Sequence, residues 1–197
     1  MYLGSTAIGK AYLGGDLVYS SAGGDTPTPI LPSGYTQLDY VDNATTYIST
    51  GIMSVGTTWE VDVEMSSSPS ATQFIICSND YGGHWFGAMS SGVFSIGGGN
   101  NFSSVTTRRL FQVSFTSNTT ISVTCNGTTL TRTGTNKNNS QVILCNDNIA
   151  KSYQYKGKIY SVKCTSGGSF EGIPAQRTSD NKKGLYDIAN DVFYPLT

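Results

Sequence analysis

Residues 57–67 read TTWEVDVEMSS, and this stretch indicates the fold class more clearly than any other part of the chain. Apolar and acidic residues alternate along it: Trp59, Val61, Val63 and Met65 against Glu60, Asp62 and Glu64. A period of two places the apolar set on one face of a β-strand and the acidic set on the other. The stretch therefore predicts a strand with one face in the core and an acidic face in solvent.

The chain from about residue 34 onward continues this strand-and-turn pattern. QFIICS at 73–78 is a short apolar run typical of a central strand, and further strands are predicted in VFSIGGG, LFQVSFTS, TISVTC, QVILCND and GKIYSVKCTS. Asn126-Gly127 supplies the two positive-φ residues of a tight hairpin. No segment has the period of an amphipathic helix. The sequence predicts an all-β protein, a two-sheet antiparallel sandwich.

The composition of the chain limits the classes of partner that we expect it to bind. Charged residues make up 13% of the 197 residues, and 12 basic against 13 acidic residues give a net charge of -1. A nucleic-acid surface needs a clustered positive field, so we expect no nucleic-acid partner. No apolar run approaches the roughly 20 residues of a membrane helix, and the first residues lack the pattern of a secretory signal. We expect a chain made and folded in a cytoplasm, without a membrane partner.

The four cysteines are widely spaced and form no Cys-x-x-Cys pair: Cys77, Cys125, Cys145 and Cys164. Three of them stand in strand-like runs. This favours buried thiols that act as small apolar side chains over disulfides or metal ligands.

The first twenty residues contain two copies of Tyr-Leu-Gly, at 2–4 and 12–14. The apolar residues of this segment are Tyr2, Leu3, Ile8, Tyr12, Leu13, Leu17, Val18 and Tyr19. They are too few to form a core, and they are costly to expose on a monomer. We expect them to pack on another chain or on copies of themselves; the alternative is an added edge strand on the following domain. Residues 21–33, SAGGDTPTPILPS, hold three of the six prolines and form a linker to a domain at 34–197.

The order of motifs in residues 31–194 resembles a known family. The run opens with LPSGYTQLDYVDNATTYISTGI and closes with YKGKIYSVKC and KKGLYDIANDVFYP. These motifs are similar to the concanavalin A-like, laminin-G-like jelly-roll domains of structural proteins in tailed bacteriophages. In that family the Gly184–Asp187 motif is a turn that closes the domain, after the strand at 158–161. Residues 2–19 also resemble short segments that attach display domains to phage particles.

The resemblance implies a non-enzymatic virion protein, namely a head fibre, a decoration protein or a tail fibre. It implies a homotrimer that residues 1–20 fix to a capsid or tail protein. The jelly-roll domain would then be displayed for adhesion to the host surface or to a glycan. The expected location is the virion, assembled in the cytoplasm of the host bacterium, and no cofactor is expected.

The acidic strand also resembles a catalytic motif. Concanavalin A-like glucanases carry Glu-x-Asp-x-Glu on one strand, which would make Glu60 the nucleophile, Glu64 the acid/base and Asp62 the residue that tunes them. Retaining hydrolysis needs carboxyl groups about 5–5.5 Å apart. Residues four apart on a regular strand have Cα atoms roughly 13 Å apart. We therefore expect an acidic solvent face rather than a β-glucanase.

A second candidate site is the loop SNDYGGHWFGAMSSG at 78–92, and GGGNNFSS at 97–104 is a similar polar loop. An aromatic ring flanked by amides or carboxylates suits a sugar. The glycan-binding candidates are Asp80, Tyr81, His84, Trp85, Asn100 and Asn101. The alternative is that a strand begins here and that Trp85 or Phe86 fills the core. The alternative function is a free carbohydrate-binding lectin module that uses this loop as its site.

Calcium is considered because laminin-G-like domains often bind it. Four aspartates offer oxygens: Asp80, Asp147, Asp187 and Asp191. None has the dense spacing of a dedicated calcium loop, so we predict no metal site.

Overall fold

A computed structural model describes residues 31–42, 44–65, 69–78, 84–102, 106–134, 139–145 and 153–196, together with the strand positions at 2–3, 6–7, 10–13 and 16–20. The chain divides into two compact units, Met1–Pro32 and Ser33–Thr197.

The first unit contains two antiparallel strand pairs. Its strands are β1 (Tyr2–Leu3), β2 (Thr6–Ala7), β3 (Lys10–Leu13) and β4 (Asp16–Ser20). Strand β1 pairs with β2, and β3 pairs with β4. Each Tyr-Leu copy ends the first strand of a pair, and two residues separate it from the second strand in the sequence. The repeat in the sequence is therefore a repeat in the structure.

Sixteen strands make up the described part of the second unit. The first eight are β5 (Tyr35–Gln37), β6 (Val41–Asp42), β7 (Ile48–Met53), β8 (Thr57–Glu64), β9 (Gln73–Ser78), β10 (Trp85–Ala88), β11 (Phe94–Ile96) and β12 (Asn100–Phe102). The others are β13 (Arg109–Phe115), β14 (Thr120–Cys125), β15 (Thr128–Thr133), β16 (Gln141–Leu144), β17 (Lys158–Ser166), β18 (Phe170–Arg177), β19 (Lys183–Asp187) and β20 (Val192–Pro195).

These strands form two antiparallel sheets. The larger sheet has ten strands in the order β15-β14-β13-β8-β17-β18-β19-β20, with β5 beside β18 and β6 beside β17. The smaller sheet has six strands in the order β12-β11-β10-β9-β16-β7. The two sheets pack as a sandwich, so the predicted all-β, two-sheet antiparallel fold is confirmed.

The core lies between the sheets and is rich in aromatic rings. Phe111 of the larger sheet has its ring centroid 4.6 Å from that of Phe86 and 4.9 Å from that of Phe94, both on the smaller sheet. Trp59 is fully buried on β8 and donates from Nε1 to the hydroxyl of Thr57 at 2.9 Å. Burying each large apolar side chain stabilises the folded state by about 1.5–3 kcal/mol. The packing of these side chains holds the two sheets face to face.

The strand predictions made from local patterns are confirmed. Burial alternates strictly along β8, and all six residues of the central strand β9 are buried. Asn126 and Gly127 have φ values of 48° and 75°, and the strands on either side pair from Cys125 and Thr128 onward. The left-handed conformation at both positions matches the right-handed twist of the hairpin.

The four cysteines are buried as free thiols, as predicted. Burial raises the pKa of the Cys145 thiol to about 12, so this group stays protonated at neutral pH. A protonated, buried thiol behaves as a small apolar side chain.

The Gly184–Asp187 motif is a strand rather than the predicted turn, and the turn comes after it at residues 188–191. Asp187 organises that turn. Its buried carboxylate accepts hydrogen bonds from the backbone N–H of Ala189 at 3.1 Å and from Nδ2 of Asn190 at 2.6 Å. It also accepts the N–H of Glu171 from β18 at 2.9 Å. Asp187 therefore ties the last hairpin, β19–β20, to the neighbouring strand β18.

Candidate functional site

The acidic face of β8 lies on the outer surface of the larger sheet. Glu60, Asp62 and Glu64 are half-buried and point away from the core, as the alternation predicts. The neighbouring strands β13 and β17 supply the groups that surround these carboxylates. The charged residues of this face come from β8, from β17 and from Arg108, which directly precedes β13.

Arg108 holds Asp62 in a bidentate ion pair. The guanidinium donates from Nε to Oδ1 at 3.0 Å and from Nη2 to Oδ2 at 2.7 Å. The same guanidinium lies over the ring of Tyr160, with 3.8 Å between its central carbon and the ring centroid. The planar cation is thus fixed by a carboxylate and by an aromatic face at once.

Glu64 is held from the other side, by β17. The hydroxyl of Tyr160 donates to Oε2 at 2.7 Å, and Nζ of Lys158 lies 3.4 Å from Oε1. The hydrogen bond from Tyr160 lowers the pKa of Glu64, burial opposes this, and Lys158 lowers it further. Burial, followed by the hydrogen bond to Glu64, raises the pKa of Tyr160. Glu64 is therefore an ionised acceptor at neutral pH.

Strand register extends this arrangement into a line of alternating charge. Asp42 on β6 pairs with Lys158, and Lys158 pairs with Glu64. Arg109 pairs with Val63, which places Arg108 next to Glu64. We call the line Asp42, Lys158, Glu64 and Arg108 the charged row.

Two tyrosines accompany the charged row. The rings of Tyr40 and Tyr160 meet edge to face, with their centroids 5.7 Å apart. Nζ of Lys158 lies 4.9 Å from the centroid of Tyr40, and Tyr40 is 37% exposed. Partly exposed rings beside ordered carboxylates and cations form a surface suited to polyhydroxylated ligands.

The acidic face of β8 differs from a glycosidase carboxylate pair. Glu60 and Glu64 stand four residues apart on one regular strand, which separates their Cα atoms by roughly 13 Å. A glycosidase acid carries a raised pKa, whereas the pKa of Glu64 is lowered. Asp62 is occupied by Arg108. The face is better arranged to hold a polar ligand than to donate a proton to one.

Trp85, a predicted glycan-stacking residue, lies in a hydrophobic cluster. It is 8% exposed, and its ring stacks on Phe74 with centroids 4.6 Å apart. Phe74 stacks in turn on Tyr153, again at 4.6 Å. The next residue, Phe86, enters the main core. Packing covers the Trp85 ring, so in this structure it offers no open face to a sugar.

The other predicted glycan residues are dispersed. Asp80 and Tyr81 lie outside the described residues. His84 is 2% exposed, and its Nε2 has no hydrogen-bond partner within the described residues. Asn100 and Asn101 are exposed on the edge strand β12, where Nδ2 of Asn100 donates to the carbonyl of Thr131 at 2.5 Å. That bond joins the margins of the two sheets.

The residues predicted to attach the chain fall in the first unit. Ile8 lies outside the described residues. The others occupy strands β1, β3 and β4: Tyr2, Leu3, Tyr12, Leu13, Leu17, Val18 and Tyr19. Their side chains also lie outside the described part of the chain.

The aspartates considered for calcium are also dispersed. Asp80 and Asp147 lie outside the described residues, and Asp187 is committed to its turn. Asp191 accepts a hydrogen bond from the hydroxyl of Tyr186. The described residues contain no group of three or more acidic, histidine or cysteine side chains that could hold a metal ion. In the same part of the chain, no helix has the length and apolarity to cross a bilayer.

Four residues of this surface were missed at the level of sequence: Tyr40, Arg108, Lys158 and Tyr160. Lys158 and Tyr160 are on β17, Tyr40 directly precedes β6 and Arg108 directly precedes β13, and the order of the sheet brings them together. The available signal was the acidic face of β8, because neighbouring cations are favoured beside three carboxylates on one strand face. Comparison of the chain with protein-family models, with curated proteins and with solved structures finds no match.

Proposed function

We propose that this chain is a non-enzymatic structural protein of a bacteriophage virion, which displays its sandwich for adhesion to a host surface or glycan. In this proposal residues 1–20 join the chain to a capsid or tail protein and to two further copies. The sandwich carries the recognition surface. The protein functions in the virion and is assembled in the bacterial cytoplasm.

The observation that carries the proposal is the division of the chain into two compact units with different architectures. The first unit has strand pairs of only two to five residues, which are too small to be stable alone in water. Its tyrosines and leucines need apolar partners. Self-association and docking on a particle both supply such partners. In a symmetric trimer, the apolar side chains of every copy have the same surroundings.

The proposal of a non-enzymatic role draws support from the acidic face of β8. Asp62 is engaged by Arg108, Glu64 is engaged by Tyr160 and Lys158, and Glu64 is kept ionised. Such groups act as fixed hydrogen-bond acceptors. A β-glucanase would instead release reducing sugar from β-glucans and lose that activity in Glu60→Gln.

The test uses the full chain with four polar substitutions, Tyr2→Ser, Leu3→Ser, Tyr12→Ser and Leu13→Ser. Wild-type and variant chains are expressed during phage assembly, and purified particles are probed with an antibody to the sandwich. The proposal expects labelled particles with the wild type and unlabelled particles with the variant. A matched variant with Thr6→Ser and Ser20→Thr retains labelling. Equal labelling by all three chains would refute the anchor.

A free lectin module is the second candidate, favoured by the exposed tyrosine and ordered carboxylates beside the charged row. It predicts a soluble monomer that binds glycans, with no protein on the particle. The antibody experiment separates the two functions.

A further inference from the structure

A surface pocket of about 250 Å³ lies beside the charged row, on the larger sheet. Its lining consists of Leu38, Asp39, Tyr40, Asp42 and Lys183. It is smaller than the roughly 300–1,000 Å³ of sites for drug-sized ligands, so it suits a single small ring. It shares Tyr40 with the aromatic contacts of the charged row.

We propose that this pocket binds one neutral hexose residue at the end of a glycan. This inference rests on the adhesive role proposed above and gives that role a site and a ligand class. Tyr40 supplies an aromatic surface for the apolar face of the sugar ring. Asp39 and Asp42 accept hydrogen bonds from hydroxyl groups, and the ammonium of Lys183 donates to a ring or hydroxyl oxygen.

The charge of the lining selects among sugars. Two carboxylates and one ammonium give a formal charge of -1, which repels a carboxylated sugar such as a uronic or sialic acid. A neutral hexose has both donors and acceptors on each hydroxyl, so it can satisfy both signs of charge. The pocket thus favours neutral sugars over acidic ones.

Strand pairing holds the walls of the pocket in place. The backbone N–H of Leu38 donates to the carbonyl of Pro174 at 3.0 Å, which fixes the segment between β5 and β6 to β18. Asp42 pairs with Lys158, and the carbonyl of Lys183 accepts the N–H of Leu196 at 2.9 Å. A site held in this way loses little conformational entropy when a ligand binds.

The ring of Tyr40 is also held in position. Its ring contacts the ring of Tyr160 edge to face, and the ammonium of Lys158 lies 4.9 Å from its centroid. Tyr40 is 37% exposed and is one of the residues that line the pocket. A single-ring site of this kind binds weakly, with a dissociation constant of about 1 mM, and a trimer raises the avidity.

The test is saturation-transfer NMR on the full chain with three probes: methyl α-mannopyranoside, methyl β-glucopyranoside and methyl β-galactopyranoside. Glucuronate is the charged comparison. We expect saturation of at least one hexoside and about tenfold weaker binding of glucuronate. Tyr40→Ala weakens hexoside binding about tenfold and Asp39→Asn about fivefold, whereas Tyr40→Phe stays close to wild type.

Leu110→Ala is the matched control, because Leu110 is 53% exposed on the same sheet outside the pocket lining. It retains wild-type binding. Thermal unfolding checks that each variant is folded. The pocket is refuted if no hexoside is saturated, or if a folded Tyr40→Ala chain binds as well as wild type. If virions are labelled but no hexoside binds, only the pocket proposal is refuted. If hexosides bind through Tyr40 but virions are not labelled, only the virion role is refuted.

Discussion

Arg108 and Asp62 form a bidentate ion pair on the outer face of the larger sheet. Three donor–acceptor distances between 2.7 and 3.1 Å join the guanidinium to the carboxylate, although the Arg108 side chain is 54% exposed. The ring of Tyr160 under the guanidinium restricts its motion. An exposed pair would ordinarily add little stability, and the aromatic contact makes this one different.

A double-mutant cycle measures this pair. Arg108→Ala and Asp62→Asn each lower the free energy of unfolding, and the coupling between them is about 1 kcal/mol after allowance for solvent screening. The control cycle is Lys163→Ala with Glu171→Gln, an exposed pair at 3.0 Å, for which we expect less than about 0.5 kcal/mol. Urea denaturation gives the values. Equal couplings in the two cycles would contradict a special role for Tyr160.

Tyr160→Phe tests the cause of the lowered pKa of Glu64. The Tyr160 hydroxyl is the largest cause of that shift, so its removal raises the pKa of Glu64. A lowered folded-state pKa gives stability that is present above the ordinary value of 4.5 and is lost as pH falls through the folded pKa. The variant therefore loses less stability than wild type on acidification below about pH 4.5. Carboxyl NMR titration measures the pKa, and an unchanged value rejects the assignment.

Asp187 anchors the last hairpin. Removing its carboxylate in Asp187→Ala leaves the N–H groups of Glu171 and Ala189 without their acceptor and costs about 2–4 kcal/mol. Asp187→Asn keeps one oxygen acceptor and costs less. Asp191→Asn on the exposed side of the turn is the comparison, with a loss below about 1 kcal/mol. Chemical denaturation ranks the three variants, and a similar loss in all of them is incompatible with this role.

Gly87 is required for the close approach of β10 to β9. A Cβ at this position would overlap the backbone oxygen of Gln73, which cannot move without breaking the ladder. Gly87→Ala therefore costs about 3 kcal/mol or more. At Gly51, with φ +72° and open space around the Cβ, alanine meets only backbone strain and costs about 1 kcal/mol. Thermal unfolding separates the two, and equal losses would contradict the packing explanation.

The fold was predictable because its signals are local. The alternation along β8, the apolar run of β9 and the Asn126-Gly127 turn are each contained in fewer than ten residues. The predicted burial of the cysteines, which is confirmed, drew on the strand-like runs around three of them and on their wide spacing. The two-sheet sandwich follows from many such short strands.

The candidate site was less accessible to sequence because it depends on strand order. Asp42, Lys158, Glu64 and Arg108 are neighbours only after β6, β17, β8 and the approach to β13 lie side by side. For Trp85 the sequence left two interpretations open, a glycan-stacking ring or a core residue. An aromatic residue beside a polar loop has the same local pattern whether it faces a ligand or stacks on Phe74. Only tertiary packing separates the two cases.

The mass of the full chain in solution tests the central claim that the first unit holds copies together. Light scattering on the purified wild-type protein should give about three times the chain mass of 21.0 kDa, whereas the variant with Tyr2, Leu3, Tyr12 and Leu13 replaced by serine should give a single chain mass. A wild-type protein that stays at 21.0 kDa at all concentrations, or a variant that remains trimeric, would contradict the account.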